Sequence, residues 1–281
     1  MFTIARAGVP PVEQLIHQGC ALIELGQPEA DAISEVASAA PSFFRLSHAE
    51  KAKCGLGPAA GYRPYGIEYS NSPERPDEME TFSTTAASAS HSSGLPAGCA
   101  RDFHDRTAVA FGLLEPLAER LVVALAENLT RRSWMEALRG ALQSWSCLQV
   151  NHSRPSKARS EFINEIHEDG HFLTLAYATA EGLELAQADG GFKSVRTAPN
   201  QMVIMLGGIA SLMTNGRLRP LYHRVRSVPT CKERVSILFF ADLAPNLCQP
   251  WISGEINRTV DIAANVRANP ARFGLQGHGT E

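Results

Sequence analysis

Two histidines and two acids stand within five residues in Ile166-His167-Glu168-Asp169-Gly170-His171-Phe172-Leu173-Thr174-Leu175. Two different metal sites can be read there. As H-E-x-x-H, His167 and His171 would hold zinc and Glu168 would be the general base of a protease. As H-x-D, His167 and Asp169 would be two of the three ligands of a facial iron triad, with Glu168 a spacer. The two readings need different backbones, because residues four apart share a face on a helix and residues two apart share one on an extended strand. Gly170 weakens a helix, and the Phe-Leu-Thr-Leu-Ala-Tyr-Ala-Thr that follows His171 suits a strand. The zinc reading also lacks its third ligand. Gly191 stands where a Glu about twenty residues on would be needed, and Thr174 and Tyr177 replace the Gly and His of the longer zinc motif.

The H-x-D reading calls for a further histidine on a later strand, and His223 in Pro220-Leu221-Tyr222-His223-Arg224-Val225 is so placed. Beyond it, Arg234 and Ser236 share one face of the run Glu233-Arg234-Val235-Ser236-Ile237-Leu238-Phe239-Phe240. Fifty-three residues separate Asp169 from His223, and ten separate His223 from Arg234. This H-x-D…H…R-x-S order and spacing resembles the isopenicillin N synthase-like branch of the Fe(II)/2-oxoglutarate-dependent dioxygenases. Other segments agree. Phe43 through Lys51 is similar to the family's F-F-x-L-P-x-E-E-K, and Gly61-Tyr62-Arg63-Pro64 to its G-Y loop. Asp77 through Phe82 looks like its acidic segment ending in E-x-F, and Glu181 through Leu185 like its E-G-L-x-V strand. The resemblance runs from about residue 19 to 243.

The resemblance implies a non-haem iron oxygenase acting on a small molecule by hydroxylation, desaturation or cyclisation. His167, Asp169 and His223 would hold Fe(II) and leave three adjacent positions open. Two would go to 2-oxoglutarate and one to O2, with release of succinate and CO2. Arg234 and Ser236 would hold the distal carboxylate of 2-oxoglutarate, a task that suits the planar arginine fork. Asn151 would contact the same co-substrate. The family's N-Y-Y-P segment reads Asn151-His152-Ser153-Arg154-Pro155 here, so a serine hydroxyl replaces a longer phenol. That departure keeps open an alternative, an iron oxidase of the isopenicillin N synthase kind that needs no 2-oxoglutarate. A binding module with a vestigial site is a third reading. For the substrate, Arg63 and Tyr65 lie in the loop that covers the site in this family, and Arg154 follows the co-substrate strand. One of these arginines is expected to meet an acidic group, with His171 lining the pocket.

Several elements must position these residues. Residues 19–26 read as a buried strand, and Pro28 to Phe44 as a helix with Ile33, Val36, Ala37 and Ala40 at helical spacing. Residues 55–76 are expected to be an irregular loop, and the low-complexity stretch Ser83 to Cys99 a loop or linker. Asp102 to Asn128 is a helix by its apolar stripe, and a second covers about Ser133 to Leu142. After Trp145 short strands dominate: 147–151, 172–179, a hairpin of 183–187 and 192–197 across Ala188-Asp189-Gly190-Gly191, then 201–206 and 235–241. The tail offers a helix over about 260–273, interrupted by Pro270. The expected fold is mainly β with flanking helices. A double-stranded β-helix (jelly-roll) core at about 145–243 would be braced by a helical N-terminal part at about 1–144 and followed by a tail at 244–281, all as one domain.

Bulk properties agree with a small-molecule enzyme. With 281 residues the chain can bury a sizeable core. Its 26 basic and 29 acidic residues form no basic stripe, which excludes nucleic acid and a membrane surface as expected partners. Six cysteines without a C-x-x-C pair argue against a zinc ribbon or disulfide scaffold. The opening residues lack the apolar core of a signal peptide, so a cytoplasmic protein is expected.

Overall fold

The computed structural model describes residues 4–57, 60–90, 94–131, 138, 145–244, 249–252 and 259–268. Strand pairing organises the chain. In order come β1 (Ile4–Ala5), helix α1 (Val12–Gln18), β2 (Cys20–Glu24), α2 (Gln27–Phe44), α3 (His48–Ala52), β3 (Gly61–Arg63), β4 (Met79–Thr85), α4 (Ala86–Ala89) and α5 (Cys99–Thr130). The strands β5 (Cys147–Ser153), β6 (Phe162–His167), β7 (Leu173–Ala178), β8 (Leu183–Ala186), β9 (Phe192–Ser194), β10 (Gln201–Leu206), β11 (His223–Arg226) and β12 (Arg234–Ala241) follow, with a short helix Gly208–Met213 between β10 and β11. A further helix, Ile262–Ala268, lies near the C-terminus.

An eight-stranded sheet runs β1-β2-β10-β7-β12-β5-β4-β3, and a four-stranded sheet runs β6-β11-β8-β9. Apart from the parallel β1–β2 pair, the pairings are antiparallel. This is the double-stranded β-helix that the spacing of short strands predicts, but the larger sheet draws four of its strands from the first 85 residues. The N-terminal part therefore extends the sheet as well as bracing it.

Period-two alternation sorts side chains between two interiors. Val235, Ile237, Phe239 and Ala241 of β12, Leu148 and Val150 of β5, and Met202, Ile204 and Leu206 of β10 join the large core under α2 and α5. Val203 and Met205 of β10 point the other way, into a smaller apolar cluster with Leu183, Leu185 and Val225 from the second sheet. A cavity lies between the sheets. At the helix-side interface Phe43 stacks on Phe103 at 4.7 Å, and Phe44 and Phe82 meet Phe103 edge-on at 5.9 and 5.2 Å.

Some expectations are corrected. Ser83 to Cys99 is not a linker: Ser83–Thr85 end a buried strand, and Thr85 and Ser88 form a capping box that starts α4. Thr and Ser are tolerated there because β4 lies between β3 and β5 and the Ser83 and Thr84 hydroxyls find buried partners. His171 is not on a strand, nor is Asp169. β6 ends at His167, and residues 168–172 form an irregular turn. Most of the helix expected at 133–142, and the part of the tail helix beyond 268, lie outside the described residues. The five described cysteines are free thiols.

The aromatic cluster makes a direct prediction. Phe103 is fully buried, so Phe103→Ala should lower unfolding free energy by about 3–5 kcal/mol in denaturant melts. A loss below about 1 kcal/mol would contradict this packing.

Candidate metal centre and co-substrate pocket

β6 and β11 pair so that His223 lies opposite His167. The two rings sit 4.3 Å apart, centroid to centroid. Asp169 reaches the pair from the turn after β6, its Oδ1 at 3.8 Å from the Nε2 atoms of both histidines. Among the described residues this is the one group of three or more such side chains whose ligand atoms converge, all within 4.8 Å of one another. The turn is held in place by backbone. The amides of Gly208 and Ile209, opening the short helix, donate to the carbonyls of Asp169 and His171 at 2.8 and 3.1 Å. Gly207 permits this approach, since a Cβ there would stand 2.2 Å from the His171 carbonyl oxygen.

Each ligand atom is aimed by a partner on its far side. His167 Nδ1 donates to the Glu165 carbonyl at 2.7 Å, and His223 Nδ1 to that of Leu221 at 3.3 Å. These bonds put the proton on Nδ1 and turn the Nε2 lone pairs toward the centre. Thr174 Oγ1 donates to Asp169 Oδ2 at 2.5 Å, leaving Oδ1 for the centre. Burial and the neighbouring His167 push the His223 pKa down to about 4, so it is neutral at neutral pH. Burial opposes charge on Asp169, but His223, His167 and the Thr174 hydroxyl hold its carboxyl below the usual carboxylate range. Two imidazoles and one carboxylate on one side of a point are a donor set that fits Fe(II).

Arg234 is 4% exposed and lines the same cavity. Its Nε donates to the Glu181 carbonyl at 3.1 Å and its Nη1 to the Ser236 hydroxyl. No carboxylate pairs with it among the described residues. Burial pushes its pKa down to about 10, so at neutral pH it is a desolvated cation lacking a counter-charge. A ligand carboxylate would supply one, and Ser236 beside the guanidinium adds a hydroxyl to the same cradle. Asn151, opposite Ser236 in the β5–β12 register, lines the cavity and accepts from Gln149 at 2.9 Å.

The structure thus brings His167, Asp169, His223, Arg234, Ser236, Asn151, His171 and Arg63 to one cavity of about 290 Å³. It does not bring Tyr65 or Arg154 there. Tyr65 is 43% exposed, and Arg154 is exposed beyond the end of β5. Arg63 lines the cavity, but its charge is met by Glu68 at 3.2 Å. Glu68 also accepts from Thr81 and Gln149 at 2.8 and 3.1 Å. His171 is buried, stacked on Phe240, with Nδ1 on Asp242 at 2.5 Å. His152 faces the helices instead, stacked on Phe44 and held between Glu80 and Glu233 at 3.1 Å each.

Glu68, Asp77, Gln149, Asn164 and Asp242 also line the cavity, and sequence reasoning misses them. Gln149 carries a usable signal, standing two residues before Asn151 on one strand. Glu68 and Asp77 lie in a segment without periodicity.

Residues 144–242 match the 2OG-Fe(II) oxygenase superfamily. The chain is 31% identical over 133 residues to gibberellin 2-beta-dioxygenase 3 of Arabidopsis thaliana, covering 46% of this chain and 37% of that protein. It is 29% identical over 164 residues to 1-aminocyclopropane-1-carboxylate oxidase homolog 2 of the same plant, covering 57% and 40%. The chain thus spans about two fifths of the length of the curated relatives it matches. Among solved structures, JOX2 in complex with 2OG, Fe and JA superposes with a TM-score of 0.75 at 18% identity, covering 98% of this chain and 86% of that one. A full-length Neurospora crassa protein in complex with alpha-KG gives 0.73 at 17% identity, covering 92% and 88%. These structural likenesses show the shared fold. The matched segment runs from just before β5 to just past β12, and so contains His167, Asp169, His223, Arg234 and Ser236. Over that segment, the chain is similar to the 2OG-Fe(II) oxygenase superfamily.

Proposed function

We propose that the protein is a non-haem iron oxygenase that uses 2-oxoglutarate to oxidise a small molecule, by hydroxylation, desaturation or cyclisation. One observation carries the reading: a buried arginine without a counter-charge shares a cavity with a convergent His-Asp-His set. A dicarboxylate long enough to reach from one to the other would answer both. Neighbours crystallised with alpha-KG or with 2OG and Fe support this over an oxidase that needs no keto acid.

The bound iron, 2-oxoglutarate and dioxygen would supply the oxidation of a C–H bond, with release of succinate and CO2. The chain's own work is placement. His167, Asp169 and His223 would hold the metal from one side and leave the opposite side to ligands. Arg234, with Ser236 beside it, would receive the distal carboxylate as a bidentate acceptor and fix the direction in which the co-substrate enters. Leu183, Met205 and Val225 add apolar surface to the cavity wall. Ser153 is buried with its hydroxyl 3.5 Å from the Arg234 carbonyl, and it does not line the cavity. On this geometry the loss of the family's second Tyr leaves the Arg234 anchor standing.

An anaerobic titration of apo-protein with Fe(II) and then 2-oxoglutarate should develop the weak visible charge-transfer band of a chelated keto acid. In Arg234→Ala, 2-oxoglutarate affinity should fall by about 2–4 kcal/mol, roughly 30- to 1000-fold. Iron bound without any band in the wild type would refute the co-substrate assignment. His223→Ala should weaken Fe(II) binding by at least about a hundredfold, read by equilibrium dialysis. Iron retained at full affinity would remove His223 from the centre.

A further inference from the structure

Arginines in the covering loop suggest an acidic substrate, but the cavity's charges say otherwise. Arg63 is neutralised by Glu68. Arg154 lies outside the cavity. Arg196 lines the rim, is exposed and pairs with Glu181 at 3.4 Å. His171 and Asp242 form a pair of their own. Glu168 is only half-buried, so solvent screens its charge. That leaves Asp77, which lines the cavity and is only 7% exposed. Its carboxylate accepts from the Ser70 amide at 3.1 Å and the Ser70 hydroxyl at 2.9 Å, both neutral donors. Among the described residues no cation pairs with it.

We propose that Asp77 selects the substrate, and that the substrate carries a protonated amine on a compact, largely apolar body. The inference rests on the oxygenase reading through a charge count. A doubly charged ferrous ion and the Arg234 guanidinium together balance the Asp169 carboxylate and a 2-oxoglutarate dianion. With Glu68 and Asp242 already paired, the buried charge left over is negative and belongs to Asp77. A buried carboxylate held only by neutral donors is destabilised unless a cation joins it. Burial accordingly raises the Asp77 carboxyl to about 6, against the His167 imidazole and the Ser70 and Asn164 donors, which lower it.

A purely structural role explains less. Tying down Ser70 needs an acceptor, and the neutral carboxamide of asparagine would provide one without a buried charge. The surroundings suit an amine: Asn164 and Ser70 offer oxygen acceptors beside Asp77, and Met79 next to Asn164 begins an apolar wall. A second metal ion is not favoured, because among the described residues no other ligand cluster converges.

Three probes of similar shape make the test: cyclohexylmethylamine, cyclohexylmethanol and cyclohexanecarboxylate. Each is titrated calorimetrically into anaerobic protein already loaded with Fe(II) and 2-oxoglutarate, the loading being measured first. The amine should bind at least about tenfold tighter than the alcohol, and the carboxylate weakest. The preference should collapse in Asp77→Asn, while 2-oxoglutarate loading stays unchanged. Equal affinities, no binding by any probe, or a preference that survives Asp77→Asn would overturn the proposal. If Asp77→Asn does not fold, the ranking on the wild type decides alone. Failure of the wild type to load 2-oxoglutarate would instead strike the oxygenase reading itself.

Discussion

Strand β12 is covered on both faces, and each face demands a different chemistry. One side is pressed against α2 and α5 and accepts only apolar groups: Val235, Ile237, Phe239 and Ala241. The other faces the cavity and carries Arg234 and Ser236 at its start, Leu238 and Phe240 further along. Because the side-chain period is two, neither set can shift without the other. A slip of one residue would drive the guanidinium into the helix-side core and expose Phe239 to the cavity. Pairing with β5 and β7 along its length fixes that register and so the distance from Arg234 to the metal ligands.

The same constraint governs charge. The cavity is lined by several buried ionisable groups, where each isolated charge is costly. Some are met inside the chain, Glu68 by Arg63 and Asp242 by His171, and Asp169 belongs to the metal-ligand set. Outside that set, Arg234 and Asp77 are the buried exceptions, one of each sign. Their unmet charges are where ligands of opposite sign gain most, so the electrostatics describe two subsites before any ligand is named. Behind the sheet a second buried network, Lys51, Glu80, Tyr62 and His152, ties α3 to β4 and β5 and involves no cavity group. It braces the strand that carries Asn151 from its opposite face.

How much of this is legible before folding follows from how locally each feature is encoded. The H-x-D pair, the later His223 and the Arg234-x-Ser236 pair are types at spacings, and the structure collects all five residues in one cavity. α2, α5 and the hairpin of β8 and β9 announce themselves by apolar period and turn chemistry within a few residues. β4 does not. Its Thr and Ser residues read as low complexity, and it is a strand because β3 and β5 pair with it from both sides and Thr107 and Gln149 satisfy its hydroxyls. The strand geometry expected for Asp169 is also too simple. The acid lies past the end of β6, and the glycine pair that holds its turn, Gly207 and Gly208, stands far along the chain beyond β10.

By itself, then, the sequence determined which atoms could bind a metal and an anion, since donor type and strand period are properties of a few adjacent residues. Only the tertiary structure decided which charges remain unmet. Arg63 and Asp77 look equally available in the chain, and both end up buried beside the cavity. A partner close to Arg63 in sequence, Glu68, neutralises one, while nothing cationic among the described residues pairs with the other. Charge compensation depends on what folds into contact across a low-dielectric space, and that distance is not written in any local pattern.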